Sequence, residues 1–105
     1  MANVFGSTEK SIAAQNTFTD GVEMDWGPGV RGHLALSGTW AGTVHFQQSF
    51  DGGTTWLDTG DTWTTNTVSI FHLPEAGVKY RAGVKTGNYT SGTVVARISG
   101  GVWRS

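Results

Sequence analysis

The side chains that could do chemistry are eight carboxylates and three histidines, set in a chain rich in threonine, serine and glycine. Glu23 and Asp25 could share one face of a strand, because side chains two residues apart point the same way, and with Asp20 they could hold a cation. A solvated strand edge beside a turn aspartate is the simpler interpretation of these three. The histidines lie on different predicted strands and could bind zinc only if neighbouring strands aligned them: His33, His45 and His72.

Patterns typical of catalysis are missing from this sequence. Nothing fixes two carboxylates across a cleft, as a glycosidase requires, and no glycine-rich segment follows a strand and opens a helix, as a phosphate-binding loop does. The chain has no cysteine, which excludes a disulfide scaffold, a thiolate metal site and a cysteine nucleophile. We therefore predict that the protein is not an enzyme and has no catalytic residue, no metal site and no cofactor.

Charge and hydropathy restrict the expected partners. The formal net charge is −1 and no basic run occurs, so the sequence predicts no nucleic-acid partner. Charged residues make up 14% of the chain, below the typical share of about a quarter. Such a surface suits packing against neighbours, although a neutral β-sandwich has the same appearance. No apolar stretch approaches the roughly 20 residues of a membrane span. The N-terminus lacks the basic flank and apolar core of a secretory signal, which predicts folding in a cytoplasm.

Alternating polar and apolar residues predict a single all-β domain. Turn signals recur about every 8–12 residues, and no apolar stripe of helical period appears. The predicted fold is one β-sandwich of about seven to nine antiparallel strands, Ig-like or jelly-roll-like. We place it over residues 11–105, after an N-terminal arm over residues 1–10. The side chains predicted to point inward are Val44, Phe46, Val78, Tyr80, Ala82, Val84, Val94, Ala96 and Ile98.

The turn residues indicate where these strands begin and end. Strands are predicted at residues 11–15, 18–24, 30–37, 43–50, 56–60, 62–71, 78–85 and 93–98. Residues 37–42 are predicted to form a loop, because two glycines flank Trp40 there. Residues 43–50 and 56–60 are predicted to form a hairpin around Asp51, Gly52 and Gly53, since Asp-Gly and Gly-Gly pairs favour the positive φ of hairpin turns.

Four tryptophans lie in or beside predicted turns or in the C-terminal tail, where burial is harder to arrange. Aromatic side chains near loops commonly stack on sugars or contact partner proteins. Each could equally cap one end of a small core. With the aromatic residue of the N-terminal arm, the predicted partner contacts are Phe5, Trp26, Trp40, Trp63 and Trp103.

Residues 49–56 (SFDGGTTW) match the Asp-box, Ser-x-Asp-x-Gly-x-Thr-Trp, at all its fixed positions. In sialidases and related β-propellers this motif is a structural hairpin remote from catalysis. The resemblance implies a structural hairpin role for Ser49, Asp51, Gly53, Thr55 and Trp56. One copy cannot build a propeller, so the motif indicates a hairpin only.

A wider resemblance covers most of the chain, through residues 11–20 (SIAAQNTFTD), 36–44 (LSGTWAGTV), the Asp-box, 74–81 (PEAGVKYR) and 90–94 (TSGTV). In this order they resemble the small β-sandwich proteins encoded among the structural genes of tailed bacteriophages. Members of that group are described as virion, head decoration or cement proteins. The segment 62–73 and the tail around Trp103 depart from the pattern.

This resemblance implies a virion protein on the capsid surface, made in the host cytoplasm. Its implied partners are the major capsid protein and further copies of the same chain, with no nucleic acid and no membrane. Two alternatives stay open: a carbohydrate- or receptor-binding module of a tail or fibre, and a head–tail connector or tail component.

Overall fold

The computed structural model describes residues 4–23, 31–72 and 77–102, and every regular element in these ranges is a strand. The strands are β1 Val4–Ile12, β2 Thr17–Phe18, β3 Val22–Glu23, β4 Arg31–Gly42, β5 Val44–Ser49, β6 Leu57–Trp63, β7 Thr67–His72, β8 Lys79–Val84 and β9 Tyr89–Val102.

The strands form two antiparallel sheets. Sheet 1 has the order β1-β9-β4-β7, and sheet 2 has the order β2-β8-β5-β6, with β3 also paired to β8. The predicted all-β sandwich of antiparallel strands is confirmed. Only β5 and β6 are both consecutive in the chain and paired in one sheet; the other described strands pair across longer stretches of sequence. The hairpin is therefore the one local strand pairing in this part of the chain.

The core consists of the inward-facing side chains of both sheets, as the period-two alternation predicts. All nine side chains predicted to point inward are buried, together with Ile12, Val22, Leu34 and Leu36. Part of the core is an aromatic cluster of Phe46, Phe71, Tyr80 and Trp63. The ring of Phe46 stacks on Tyr80 at 5.5 Å and lies 4.8 Å from the ring of Phe71.

The structure places most of the predicted N-terminal arm in a strand. Residues 4–10 belong to β1, which pairs with β9 from Val4 opposite Val102 to Ile12 opposite Val94. The sequence of this stretch is polar and mixed because β1 is an edge strand with one solvated face. Residues 4–10 are therefore part of the sandwich, together with the region from residue 11 onward.

The predicted loop over residues 37–42 is wrong: β4 continues through Gly42 and pairs with β9 along this stretch. The glycines of this stretch do not form a turn; they allow the backbones of β4 and β9 to approach closely. A Cβ on Gly38, where φ is +103°, would lie 2.4 Å from the carbonyl oxygen of Thr93. The paired strands shift register between Ala41 and Gly42, which is typical of a β-bulge.

The predicted strand over residues 62–71 is also wrong, because the chain turns at residues 64–66 and passes from β6 into β7 on the other sheet. This turn contains neither glycine nor proline, so the sequence gives little sign of it. Other strand boundaries also differ from the predicted ones. Strands predicted at 11–15 and 18–24 are the end of β1 and the short β2 and β3, while the one predicted at 93–98 extends over Tyr89–Val102.

Candidate functional site

The two described tryptophans among the predicted partner contacts pack against the core. Trp40 and Trp63 are half-buried. Phe46 meets the ring of Trp63 edge-on at 6.1 Å. Both therefore cap the core, which was the alternative role considered for them. Trp26 and Trp103 lie outside the described residues, as does the side chain of Phe5, whose backbone pairs with Gly101.

Trp40 also connects β4 to the turn between β6 and β7. Its indole N–H donates to the side-chain oxygen of Asn66 at 2.7 Å, and the Asn66 amide donates to the carbonyl of Gly38 at 3.0 Å. A side chain thus supplies the hydrogen bonds that hold this turn against sheet 1. Trp40 has a structural partner for its polar atom and needs no external one.

The hairpin between β5 and β6 is held by side-chain hydrogen bonds within its own turn. The fully buried Ser49 hydroxyl donates to Asp51 and accepts from the amide of Gly53, both at 2.8 Å. The amide of Thr55 donates to the same carboxylate at 2.8 Å. These bonds, first the Thr55 amide and then the Ser49 hydroxyl, lower the pKa of Asp51 from 3.8 to about 2. Gly53 has a φ of +99°, as the hairpin turn requires.

Strand β7 presents an inverted pattern of polar and apolar side chains. Val68 and Ile70 point outward and are 72% and 59% exposed, while Thr67 and Ser69 are half-buried on the side of the core. Phe71 follows the usual rule, with its ring against the aromatic cluster, and so does the exposed His72. An isolated domain gains nothing from placing two β-branched apolar side chains in water, so this face fits contact with another surface. We call Val68 and Ile70 the β7 face.

The edge of β7 also lacks the features that keep sheet edges apart. Its six residues contain no charged residue, proline or glycine, and among the described strands β7 pairs only with β4. The other edges are protected by charge, bulges or short length. Strand β1 carries Glu9 and Lys10, while β6 carries Asp58 and Asp61 and its pairing with β5 shifts register. Strands β2 and β3 are two residues long.

On the outer face of sheet 2, a guanidinium lies between two aromatic rings. The Cζ of Arg81 is 4.1 Å from the ring centre of Phe18 and 4.5 Å from that of Trp56. Gly83 allows this arrangement, because a Cβ there would lie 2.2 Å from a backbone oxygen of β2. Gly21 does the same for the indole, since its Cβ would meet Trp56 at 2.8 Å.

A chain of polar contacts holds this guanidinium in place. Arg81 Nε donates to the side-chain oxygen of Gln47 at 2.8 Å, and the Gln47 amide donates to Asp58 at 2.9 Å. Lys85 forms an ion pair with the same carboxylate. Lys85 first, and then Gln47, lower the pKa of Asp58, while burial lowers the pKa of Arg81.

These residues border an open groove of about 470 Å³ beside the hairpin, which we call the hairpin groove. Its charged side chains are Lys79, Arg81 and Asp20, and its aromatic walls are Phe18 and Trp56. From the sequence, Trp56 was expected to act in the hairpin only, and neither Lys79 nor Arg81 was predicted to belong to a site. Phe18 and Asp20 reach the groove because β2 pairs with β8, a contact between distant segments with no local sequence signal.

The candidate metal ligands do not come together in the part of the chain that the structure describes. No three histidine or carboxylate side chains form a group there that could hold an ion. His33 lies on sheet 1 and His45 on sheet 2, while Glu23 is paired with Lys79 across the strands. Asp25 lies outside the described residues.

No family model, curated protein or solved structure matches this chain. Among the described residues, no helix has the length and apolar character needed to cross a bilayer. The surfaces of the described residues that bear on function are the β7 face and the hairpin groove.

Proposed function

We propose that this protein is a non-enzymatic virion structural protein of a tailed bacteriophage, a capsid decoration or cement protein. It binds the major capsid protein and its own copies on the capsid surface. The observation that carries the proposal is the β7 face at an uncharged edge strand. The assignment to a phage capsid is supported by the resemblance to small phage β-sandwich proteins, which is carried by residues 11–20, 36–44, 74–81 and 90–94.

The proposed mechanism is burial of apolar area between the protein and the capsid. Each square ångström of apolar surface removed from water contributes about 25 cal/mol. A strand of a neighbouring molecule could also pair with the edge of β7. Every second residue of an edge strand points its N–H and C=O away from the sheet, which leaves them open to such pairing. A contact of this kind, repeated over the capsid, would oppose the internal pressure of the packaged genome.

The charge distribution is compatible with many copies lying close together. The formal net charge of −1 and the 14% content of charged residues leave little electrostatic repulsion between neighbours. The β7 face itself contains no charge. Dense packing on a capsid would therefore need no compensating counter-charge.

The test is removal of the protein from the virion. Capsids that lack it should release DNA at a lower temperature than complete capsids, and adding purified protein should restore the difference. Copies per particle should approach those of the major capsid protein. Equal thermal release with and without the protein would refute the cement role.

A carbohydrate- or receptor-binding module of a tail or fibre is the second candidate function. The hairpin groove favours it, because aromatic walls and polar side chains together are typical of sugar-binding sites. A copy number far below that of the capsid protein would favour this role or that of a head–tail connector.

A further inference from the structure

The guanidinium of Arg81 is a partly desolvated charge without a carboxylate partner in the described part of the chain. The ion pair found there joins Lys85 to Asp58, and the bond from Arg81 goes to the neutral amide of Gln47. Burial already lowers the pKa of this guanidinium. A half-buried cation that lacks an anion has unused donors, because an arginine carries five N–H groups and one is engaged here.

The position of this cation is fixed before any ligand arrives. Phe18 and Trp56 hold the guanidinium between their rings, and Gln47 fixes the direction of Nε. Gln47 is itself only 6% exposed and is held by Asp58. A ligand that pairs with Arg81 therefore orders few side chains, and pre-organisation of this kind favours affinity.

The rest of the hairpin groove adds one positive charge, one negative charge and a neutral amide. Lys79 lies two residues before Arg81 on the same face of β8, and Asp20 is the single carboxylate among the lining residues. Asn16 supplies an exposed side-chain amide, whereas Thr19 is buried and its hydroxyl oxygen accepts from the backbone amide of Ala82. The volume of about 470 Å³ lies within the range of small-molecule sites.

We propose that the hairpin groove binds an acidic saccharide, with the sugar carboxylate on Arg81 and Lys79. A guanidinium matches a planar carboxylate through two parallel hydrogen bonds. The indole of Trp56 and the ring of Phe18 provide apolar walls for the C–H groups of a pyranose, and Asp20 and Asn16 can bond its hydroxyls. This inference rests on the second candidate function. It does not depend on the β7 face, so a failure of sugar binding would leave the capsid contact standing, and the loss of the capsid contact would leave sugar binding standing.

The experiment is a titration of the full chain with a galacturonic acid oligomer, followed by NMR and calorimetry. A neutral galactose oligomer of equal length is the matched ligand. We expect saturable shifts of the Trp56 indole N–H and the Arg81 Nε–H with the acidic oligomer and none with the neutral one. Replacing Lys79→Gln should weaken binding about tenfold, and Arg81→Lys by more, because lysine cannot form the two parallel bonds.

Lys10→Gln is the matched control, since it removes the same charge from the exposed edge of sheet 1. Binding in this variant should equal that of the unchanged protein. Lys79→Gln changes a half-exposed side chain, so its fold should survive even if Arg81→Lys proves unstable. Three results would each overturn the proposal: no saturable binding of the acidic oligomer, equal binding of the neutral one, or equal binding of a short poly-glutamate peptide.

Discussion

Placing positive charge on the β7 face should weaken the contact that we assign to it by at least about a hundredfold. The change is the double substitution Val68→Lys and Ile70→Lys, which keeps the strand but makes its outer face charged. Lysine is a residue that natural edge strands use to prevent pairing. Both positions are exposed, so the domain itself should keep its stability within about 0.5 kcal/mol.

The magnitude follows from how much of each side chain a contact can still bury. Val68 is 72% exposed and Ile70 is 59% exposed. Full burial of such a side chain contributes about 1.5–3 kcal/mol, so covering the exposed parts of both contributes about 3 kcal/mol. That corresponds to about a hundredfold in affinity, and desolvation of two lysines would weaken the contact further.

The assay is rebinding of purified protein to capsids that lack it, measured by co-sedimentation over a range of concentrations. Leu57→Lys is the matched control, because Leu57 is 48% exposed and lies on β6, an edge strand of the other sheet. The double variant should need at least a hundredfold more protein for half-occupancy, and the control should bind normally. Unchanged binding by a folded double variant, or an equal loss in the control, would refute the assignment of the contact to β7.

Three further predictions concern the stability of the fold. Gly92→Ala should lower the free energy of unfolding clearly more than Gly87→Ala, as measured by chemical denaturation. Both glycines have positive φ, but a Cβ at Gly92 would lie 2.3 Å from a carbonyl oxygen of β4, whereas a Cβ at Gly87 would have no atom within 4 Å. Equal losses of stability in the two variants would contradict the close approach of β4 to Gly92. Asp51, with its pKa lowered to about 2, stabilises the fold above pH 3.8, and this contribution is lost as the pH falls through about 2. Asp51→Asn should remove that part of the acid dependence in a circular dichroism titration, and an unchanged profile would contradict the role of the carboxylate. Asn66→Ala, which removes both the acceptor of the Trp40 indole and the donor to the Gly38 carbonyl, should lower the free energy of unfolding by about 1 kcal/mol. Asn66→Asp keeps the acceptor but sets a carboxylate against the Gly38 carbonyl, so it should not restore this loss, and full stability of either variant would contradict the role of the Asn66 side chain.

The alternating strands could be predicted because burial in a sheet has a period of two. Val78, Tyr80, Ala82 and Val84 were identified from the sequence, and all four are buried. The hairpin at residues 49–56 could also be predicted, because its turn depends on residues within a few positions of one another. Both features are local, and local sequence is sufficient to specify them.

The β7 face could not be predicted, because its exposure depends on strand order. The alternation of Val68 and Ile70 indicates a strand, but the usual expectation places apolar residues in the core. In the structure these side chains point away from it at the end of sheet 1. The turn before β7 was missed for a similar reason: its hydrogen bonds come from Asn66 to Gly38 and from Trp40, more than twenty residues away.

The two candidate surfaces lie on opposite sides of the sandwich, and this has a consequence for both proposals. Val68 and Ile70 are on the outer face of sheet 1, whereas Arg81 and Trp56 are on the outer face of sheet 2. Because the sheets pack by their inner faces, a partner on the β7 face leaves the hairpin groove open. Protein bound to capsids should therefore bind the acidic oligomer with the same Kd as free protein. A large loss of sugar binding upon capsid attachment would mean that the two surfaces overlap, and one of the two assignments would have to be abandoned.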